Sequence, residues 1–146
     1  MATHVSGVLK DKGHRVVTVS PNQTVASVAK VLTLNKIGAA PVIDEEDRLV
    51  GIISERDIIR GLSEHADAVL TLPAEQLMTR QVRTCSPADP LVGIMGVMTL
   101  QRIRHLPVIH DGALYGIISI GDVVKQRLDE VQFEVEELRR YISGPA

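Results

Sequence analysis

The phrase "GIISERD" at residues 51–57 returns as "GIISIGD" at residues 116–122 with five of its seven letters unchanged. The echo extends upstream. "VLTLNKIGAAPVI" from Val31 aligns with "VMTLQRIRHLPVI" from Val97, and "VVTVSP" at 16–21 with "VRTCSP" at 82–87, both at an offset of 66. One deletion in a turn brings the final phrase to an offset of 65. Such a repeat constrains the fold more than any local pattern, because each copy is a supersecondary piece that cannot bury its apolar face alone. Two copies are expected to pack on each other within one globule, since 146 residues is a single ordinary domain by length.

Each copy carries the same element signals. "RVVTV" reads as a short strand broken by Ser20-Pro21. Val25, Val28, Ala29 and Leu32 then fall at i, i+3, i+4 and i+7, which predicts an amphipathic helix, and Leu91, Ile94, Met95 and Met98 repeat the pattern. "AAPVI" and "RLVGIIS" are β-rich runs around the acidic turn "DEED". In the second copy the turn is "HDGA", where Gly112 can adopt a left-handed conformation. A helix beginning near Ser54 or Ser119 closes each copy, so the expected order is β-α-β-β-α, twice.

These signals divide the chain into residues 1–65, the first repeat with a lead-in helix ended by Gly13; 66–80, a linker with a short helix at Pro73; 81–128, the second repeat; and 129–146, a C-terminal helical extension. Along the last helix, Val124, Leu128, Val131, Val135, Leu138 and Ile142 are spaced 4, 3, 4, 3 and 4 apart. This heptad-like seam, flanked by Glu130, Glu134, Glu137, Arg139 and Arg140, either lies on its own domain or mediates self-association.

Apolar residues make up 45% of the chain and charged residues 23%, the balance of a soluble globular protein. A net charge of −2, with no basic stripe or aromatic platform, argues against a nucleic-acid partner. The N-terminal residues have neither a signal core nor a cationic leader, and "LVGIMGVMTL" is half a membrane span, so no membrane partner and a cytoplasmic location are expected. Cys85 is a lone thiol and reads as a small apolar strand residue.

Ser-x-x-Asp, the end of the repeated phrase, resembles a helix capping box at a strand-to-helix junction. Its duplication adds a second meaning. A helix N-terminus attracts anions, a carboxylate can accept two hydrogen bonds from a ribose diol, and a neighbouring hydroxyl can reach ribose or phosphate. The chain has no G-x-G-x-x-G and no G-x-x-x-x-G-K-[ST], and its histidines are scattered at 4, 14, 65, 105 and 110. No nucleophile, metal-binding pair or isolated carboxylate couple points to an enzyme.

The duplicated pattern "h-h-T-h-S-P … P-V-I … G-I-I-S-x-x-D" resembles the cystathionine-β-synthase (CBS) domain, and it covers nearly the whole chain. The resemblance implies an α/β (α+β) fold: tandem CBS domains, two β-α-β-β-α units related by a pseudo-twofold axis and packed sheet to sheet, with two clefts and an extended C-terminal helix. It implies a stand-alone regulatory module that binds an adenine nucleotide, AMP foremost, with ADP, ATP, NAD(H) or S-adenosylmethionine as other candidates. No metal is required. A homodimer acting on an unidentified regulated protein is expected; the competing reading is a ligand-free dimerisation scaffold.

Carried over by position, the resemblance makes Asp57 and Asp122 the ribose carboxylates, with Ser54 and Ser119 beside them and Thr18 and Thr84 lining the clefts. Ile37, Ala39, Ala40 and Pro41, with Ile103, Leu106 and Pro107, would supply apolar walls and backbone partners for adenine. Arg104 and His105 would meet phosphate; the first copy has Gly38 and Ala39 there but carries Arg56 where the second has Gly121. The two clefts are therefore expected to differ, the better equipped joining Asp57 to Arg104 and His105.

Overall fold

A computed structural model describes residues 3–144. Helix α1 (Val5–Lys12) precedes α2 (Val25–Asn35), strands β1 (Ala39–Ile43) and β2 (Leu49–Ser54) and helix α3 (Glu55–His65). Two 3-10 turns at 66–71 and 74–76 lead to α4 (Leu91–Gln101), β3 (His105–His110), β4 (Ala113–Ser119) and α5 (Ile120–Ser143). The fold is mixed α/β. Its contacts divide into two compact units, one spanning residues 15–83 and the other joining 3–14 to 84–144. Each unit has its own apolar core.

In the unit of the first repeat, β1 and β2 pair antiparallel, with Ala39 opposite Ser54 and Pro41 opposite Ile52. Asp44 shapes the intervening turn: its Oδ1 accepts from the Glu46 and Arg48 amides at 2.9 Å each, and Asp47 takes a φ of 59°. Val25, Val28 and Leu32 of α2 bury the stripe expected from their spacing against Ala40, Val42 and Ile53. The expected strand over "RVVTV" shrinks to one parallel bridge, Val19 to Val42, because β1 has only five residues and Ser20-Pro21 ends the run. Residues 66–80 are more than a linker. Val69, Ala74, Leu77 and Met78 are buried in this core, and Thr79 exchanges backbone hydrogen bonds with Ile52.

The second-repeat unit matches this plan with a different closing piece. β3 and β4 pair with His105 opposite Ser119, and Cys85 makes the single parallel bridge to Val108. The β3–β4 turn uses Asp111 (φ 52°) and Gly112 (φ 76°), two left-handed residues whose twist matches that of the strands. Cys85 is buried as expected; burial, reinforced by the Asp89 charge, pushes its thiol pKa up to about 12, so the thiol stays protonated and inert.

Sequence order attaches the lead-in helix to the first repeat, but α1 packs in the second-repeat unit. Val5, Val8 and Leu9 are almost wholly buried there with Leu91, Ile94, Leu106 and Ile118. Three backbone hydrogen bonds fix its start: Val5 N to Asp89 O, Ser6 N to Pro87 O, and Leu91 N to Thr3 O.

The glycine of each repeated phrase marks where the closing piece seats. A Cβ on Gly51 would lie 2.5 Å from Met78 Sδ and 3.0 Å from the Thr79 carbonyl, and one on Gly116 would lie 2.8 Å from Leu9 Cδ2. Each glycine thus admits a segment that any side chain would push away.

In helix α5 the apolar seam does not lie on its own unit, which removes one of the two alternatives the sequence left open. The buried residues of α5 are Val123, Gln126 and Glu130, whereas the apolar seam is exposed, from 38% at Val135 to 74% at Ile142. Glu130, expected as a flanking surface charge, is 2% exposed because α1 covers that side of the helix. No helix among the described residues is long and apolar enough to cross a membrane.

If α1 is a structural part of the second-repeat core, Leu9→Ala should cost about 2–5 kcal/mol, the range for truncating a buried leucine. Urea unfolding would measure it. A change within about 0.5 kcal/mol, typical of an exposed position, would mean that α1 is not held there.

Candidate ligand-binding site

In both units the site residues gather where the strand beginning near the repeated proline meets the helix that follows the hairpin. Backbone hydrogen bonds make the corner. Glu55 N donates to Gly38 O at 2.9 Å, and Ile120 N donates to Arg104 O at 2.8 Å. On the other side of the strand, Val19 N donates to Pro41 O and Cys85 N to Pro107 O, which places Thr18 and Thr84 next to the proline strand. Position 18 is half-buried and position 84 exposed.

Both Ser-x-x-Asp motifs are complete capping boxes. Asp57 Oδ2 accepts from Ser54 N at 2.8 Å while Ser54 Oγ accepts from Asp57 N at 3.3 Å; the equivalent distances at Asp122 and Ser119 are 2.9 and 3.1 Å. Each box satisfies helix N-terminal amides and places a carboxylate at the positive end of the helix dipole.

The two carboxylates differ in what else holds them. Asp57 is 5% exposed; its Oδ2 also accepts from Ser54 Oγ at 3.1 Å, and its Oδ1 pairs with Arg60 Nη2 at 2.8 Å. Asp122 has a more open side chain and pairs with Lys12 of α1, whose Nζ lies 2.7 Å from Oδ2 and also donates to the Ile117 carbonyl at 2.8 Å. The Lys12 and Ser119 amide bonds to Asp122 both fall on Oδ2, so among the described residues Oδ1 carries no ion pair and no backbone hydrogen bond. Burial alone would raise the Asp122 pKa, but the Lys12 ammonium and the Ser119 hydrogen bonds outweigh it and hold the carboxyl below its ordinary value.

The remaining expected residues divide by accessibility. Ala39, Ala40, Pro41, Leu106 and Pro107 are buried, leaving chiefly their backbone for a ligand, while Ile37 and Ile103 are half-buried beside them. Arg56 and Arg104 are exposed and make no ion pair among the described residues, and His105 is half-buried. Gly121 is not demanded by crowding, since an added Cβ would meet only Ser119 Oγ at 3.6 Å. A cavity of about 480 Å³ in the first-repeat unit is lined by Thr18, Ser20, Asn22, Gln23, Asp44 and Glu45 among others; neither Ser54 nor Asp57 borders it.

Sequence reasoning missed Lys12 and Arg60. The i, i+3 spacing of Asp57 and Arg60 on one helix was a signal for their pair. No local signal links Lys12 to Asp122 across 110 residues.

Comparison with known proteins identifies the family. The family model for the CBS domain matches residues 10–64 and 74–129. The mitochondrial CBS domain-containing protein CBSX3 of Arabidopsis thaliana is 33% identical, over 98% of this chain and 73% of its own. A crystal structure of a CBS-domain containing protein from Agrobacterium tumefaciens superposes with a TM-score of 0.85 at 41% identity, covering 87% of this chain and 95% of the other. The CBS domain pair of protein MJ0100, crystallised with 5'-methylthioadenosine and S-adenosyl-L-methionine, superposes at 0.76 with 28% identity over 85% and 98% of the two chains. With both repeats matched and relatives aligned over nearly its whole length, the chain belongs to the CBS-domain family, as a CBS domain pair.

Proposed function

We propose that this protein is a regulatory module that binds an adenosyl ligand, AMP foremost, through the duplicated strand–helix corners, and that it signals without chemical turnover. The observation that carries the reading is the pair of capping boxes, each of which fixes a carboxylate and a hydroxyl beside the proline strand. The adenosyl compounds in the crystals of the MJ0100 domain pair support it. In this reading the carboxylates take the ribose diol, the backbone around Pro41 and Pro107 faces adenine, and Arg56, Arg104 and His105 serve phosphate. ADP, ATP, NAD(H) and S-adenosylmethionine share the adenosyl part, so the basic residues are what would discriminate among them.

The two sites are inequivalent in this reading. Asp122 offers an oxygen that carries no ion pair among the described residues, whereas Asp57 must share its Oδ1 with Arg60. Asp122→Ala should therefore weaken the tighter AMP site, which this reading assigns to Asp122 rather than to the Asp57 cleft expected from the sequence, by roughly 10- to 150-fold in Kd, the worth of a charge-assisted hydrogen bond. Asp57→Ala should affect the weaker site alone. Calorimetry with AMP and adenosine reads both; equal affinities at the two sites, loss of both in either variant, or steady turnover of AMP would refute the proposal. Because each Asp also caps its helix, the ligand-free melting temperature of each variant separates lost binding from lost folding.

Lys12 links the N-terminal helix to the same site. The Asp122 pKa is lowered in the folded protein, so the pair's contribution to stability is full above the unfolded value of 3.8 and is lost as pH falls through the lower folded value. The stability difference between wild type and Lys12→Met should accordingly shrink as urea midpoints are taken from about pH 7 to about pH 3. A difference that stays constant would assign the effect of Lys12 to its aliphatic stem.

One observation favours self-association as part of the mechanism. Leu128 is 64% and Leu138 59% exposed on a seam that the monomer leaves uncovered. The protein is expected to be dimeric through α5, and Leu128→Glu with Val135→Glu should yield a monomer of unchanged fold by light scattering and circular dichroism. A double variant that remains dimeric would place the interface elsewhere.

A further inference from the structure

Helix α5 outruns the unit it belongs to. Val123, Gln126 and Glu130 bury its first turns, but every residue from 131 to 143 is exposed. A helical segment of about that length is marginal in water without a neighbour. Its apolar residues form one line, with Leu128, Val135 and Ile142 at heptad position a and Val124, Val131 and Leu138 at position d. The unit leaves the start of this line open too, since Val124 is 41% and Leu128 64% exposed. β-Branched residues at a with leucine at d, as in Val135, Leu138 and Ile142, favour a parallel pair of helices.

The charges beside the line fix the direction of that second helix. Glu130 pairs with Arg127 and Glu137 with Arg140 along α5 itself. The side chains of Glu134 and Arg139 are exposed and have no hydrogen bond or ion pair among the described residues. Glu134 stands at position g and Arg139 at position e of the next heptad. These are the two positions that face each other across a parallel, in-register pair. Two copies so aligned make the contact twice, by symmetry. An antiparallel pair that matches the same six apolar residues sets Glu134 against Glu134 and Lys125 against Arg139, like charge against like.

We propose that the α5 seam is covered by the α5 of a second copy, parallel and in register, as a two-stranded coiled coil flanked by two Glu134–Arg139 pairs between chains. This pairing rests on self-association through α5 and adds its direction. It stands the two Asp122 corners together at the start of the helix pair, whereas an antiparallel pair would hold them a seam's length apart.

Cysteine cross-linking of the full chain reads the direction, because Cys85 is buried with its thiol protonated and does not compete. Val124→Cys and Ile142→Cys lie at exposed positions at the two ends of the line. Under mild oxidation each should form a disulfide-linked dimer by itself on non-reducing gels. Cross-links that appear only when the two variants are mixed mark an antiparallel pair and overturn the proposal. So does the absence of any cross-link, or equally fast cross-linking of Arg140→Cys, which faces away from the seam. Charge reversal is the second test, read by sedimentation equilibrium at low salt. Arg139→Glu should weaken the dimer by roughly 2- to 30-fold in Kd, the worth of two exposed ion pairs, and Glu134→Arg added to it should restore association. Unchanged or tighter association of Arg139→Glu overturns the proposal, the tighter case being what Lys125 of an antiparallel partner would give. A monomeric wild type overturns both the direction and the self-association beneath it. A dimer that Leu128→Glu with Val135→Glu dissolves, yet that cross-links only in the mixture, overturns the direction alone.

Discussion

The reciprocal capping box is the interaction on which the rest of each unit depends. A helix that starts directly from a buried strand exposes several amides at once, and these must be satisfied within a residue or two. Ser54 with Asp57, and Ser119 with Asp122, do this while turning the chain out of β2 and β4. The same bonds fix the carboxylate against the strand that carries the repeated proline. Under the proposed function, stability and ligand recognition would use the same atoms, so that capping and binding follow from one geometry.

Each copy also needs a closing piece, and here the duplicated sequence stops behaving symmetrically. The first-repeat core is closed by residues 66–80, which seat Met78 and Thr79 over Gly51. The second-repeat core is closed by α1, which seats Leu9 over Gly116. One consequence is electrostatic. The closing helix of the second unit brings Lys12 to Asp122, whereas Asp57 finds its cation one turn along its own helix, in Arg60. Two motifs nearly identical in sequence thus acquire carboxylates of different burial and different spare hydrogen-bonding capacity.

Helix α5 shows how a partner element overrides intrinsic patterning. Taken alone, its apolar stripe should face the core. Instead α1 covers the side bearing Val123, Gln126 and Glu130, and the stripe of Val124, Leu128, Val131 and Val135 is left in solvent. Burying a glutamate and exposing several aliphatic side chains is unfavourable for an isolated unit. The exposed stripe suits a protein surface, and the buried carboxylate is paired with Arg127 on its own helix.

The family, the α-β-β-α run within each copy and the Ser-x-x-Asp helix starts were legible in the sequence, because they rest on local chemistry. Periodicity marked α2 and α4, turn residues marked the hairpins, and Ser-x-x-Asp marked the helix starts at Ser54 and Ser119. Gly51 and Gly116 were legible as repeated letters, though not for the contact each one makes. Tertiary structure alone decided the rest. It joined α1 to the second repeat, paired Lys12 with Asp122, reduced the expected first strand of each copy to a single bridge, and turned Glu130 inward. Apart from the shortened strand, which the five-residue β1 and Ser20-Pro21 limit, each depends on which distant segment covers a given face, and burial and pairing across such distances leave no periodic trace in the chain.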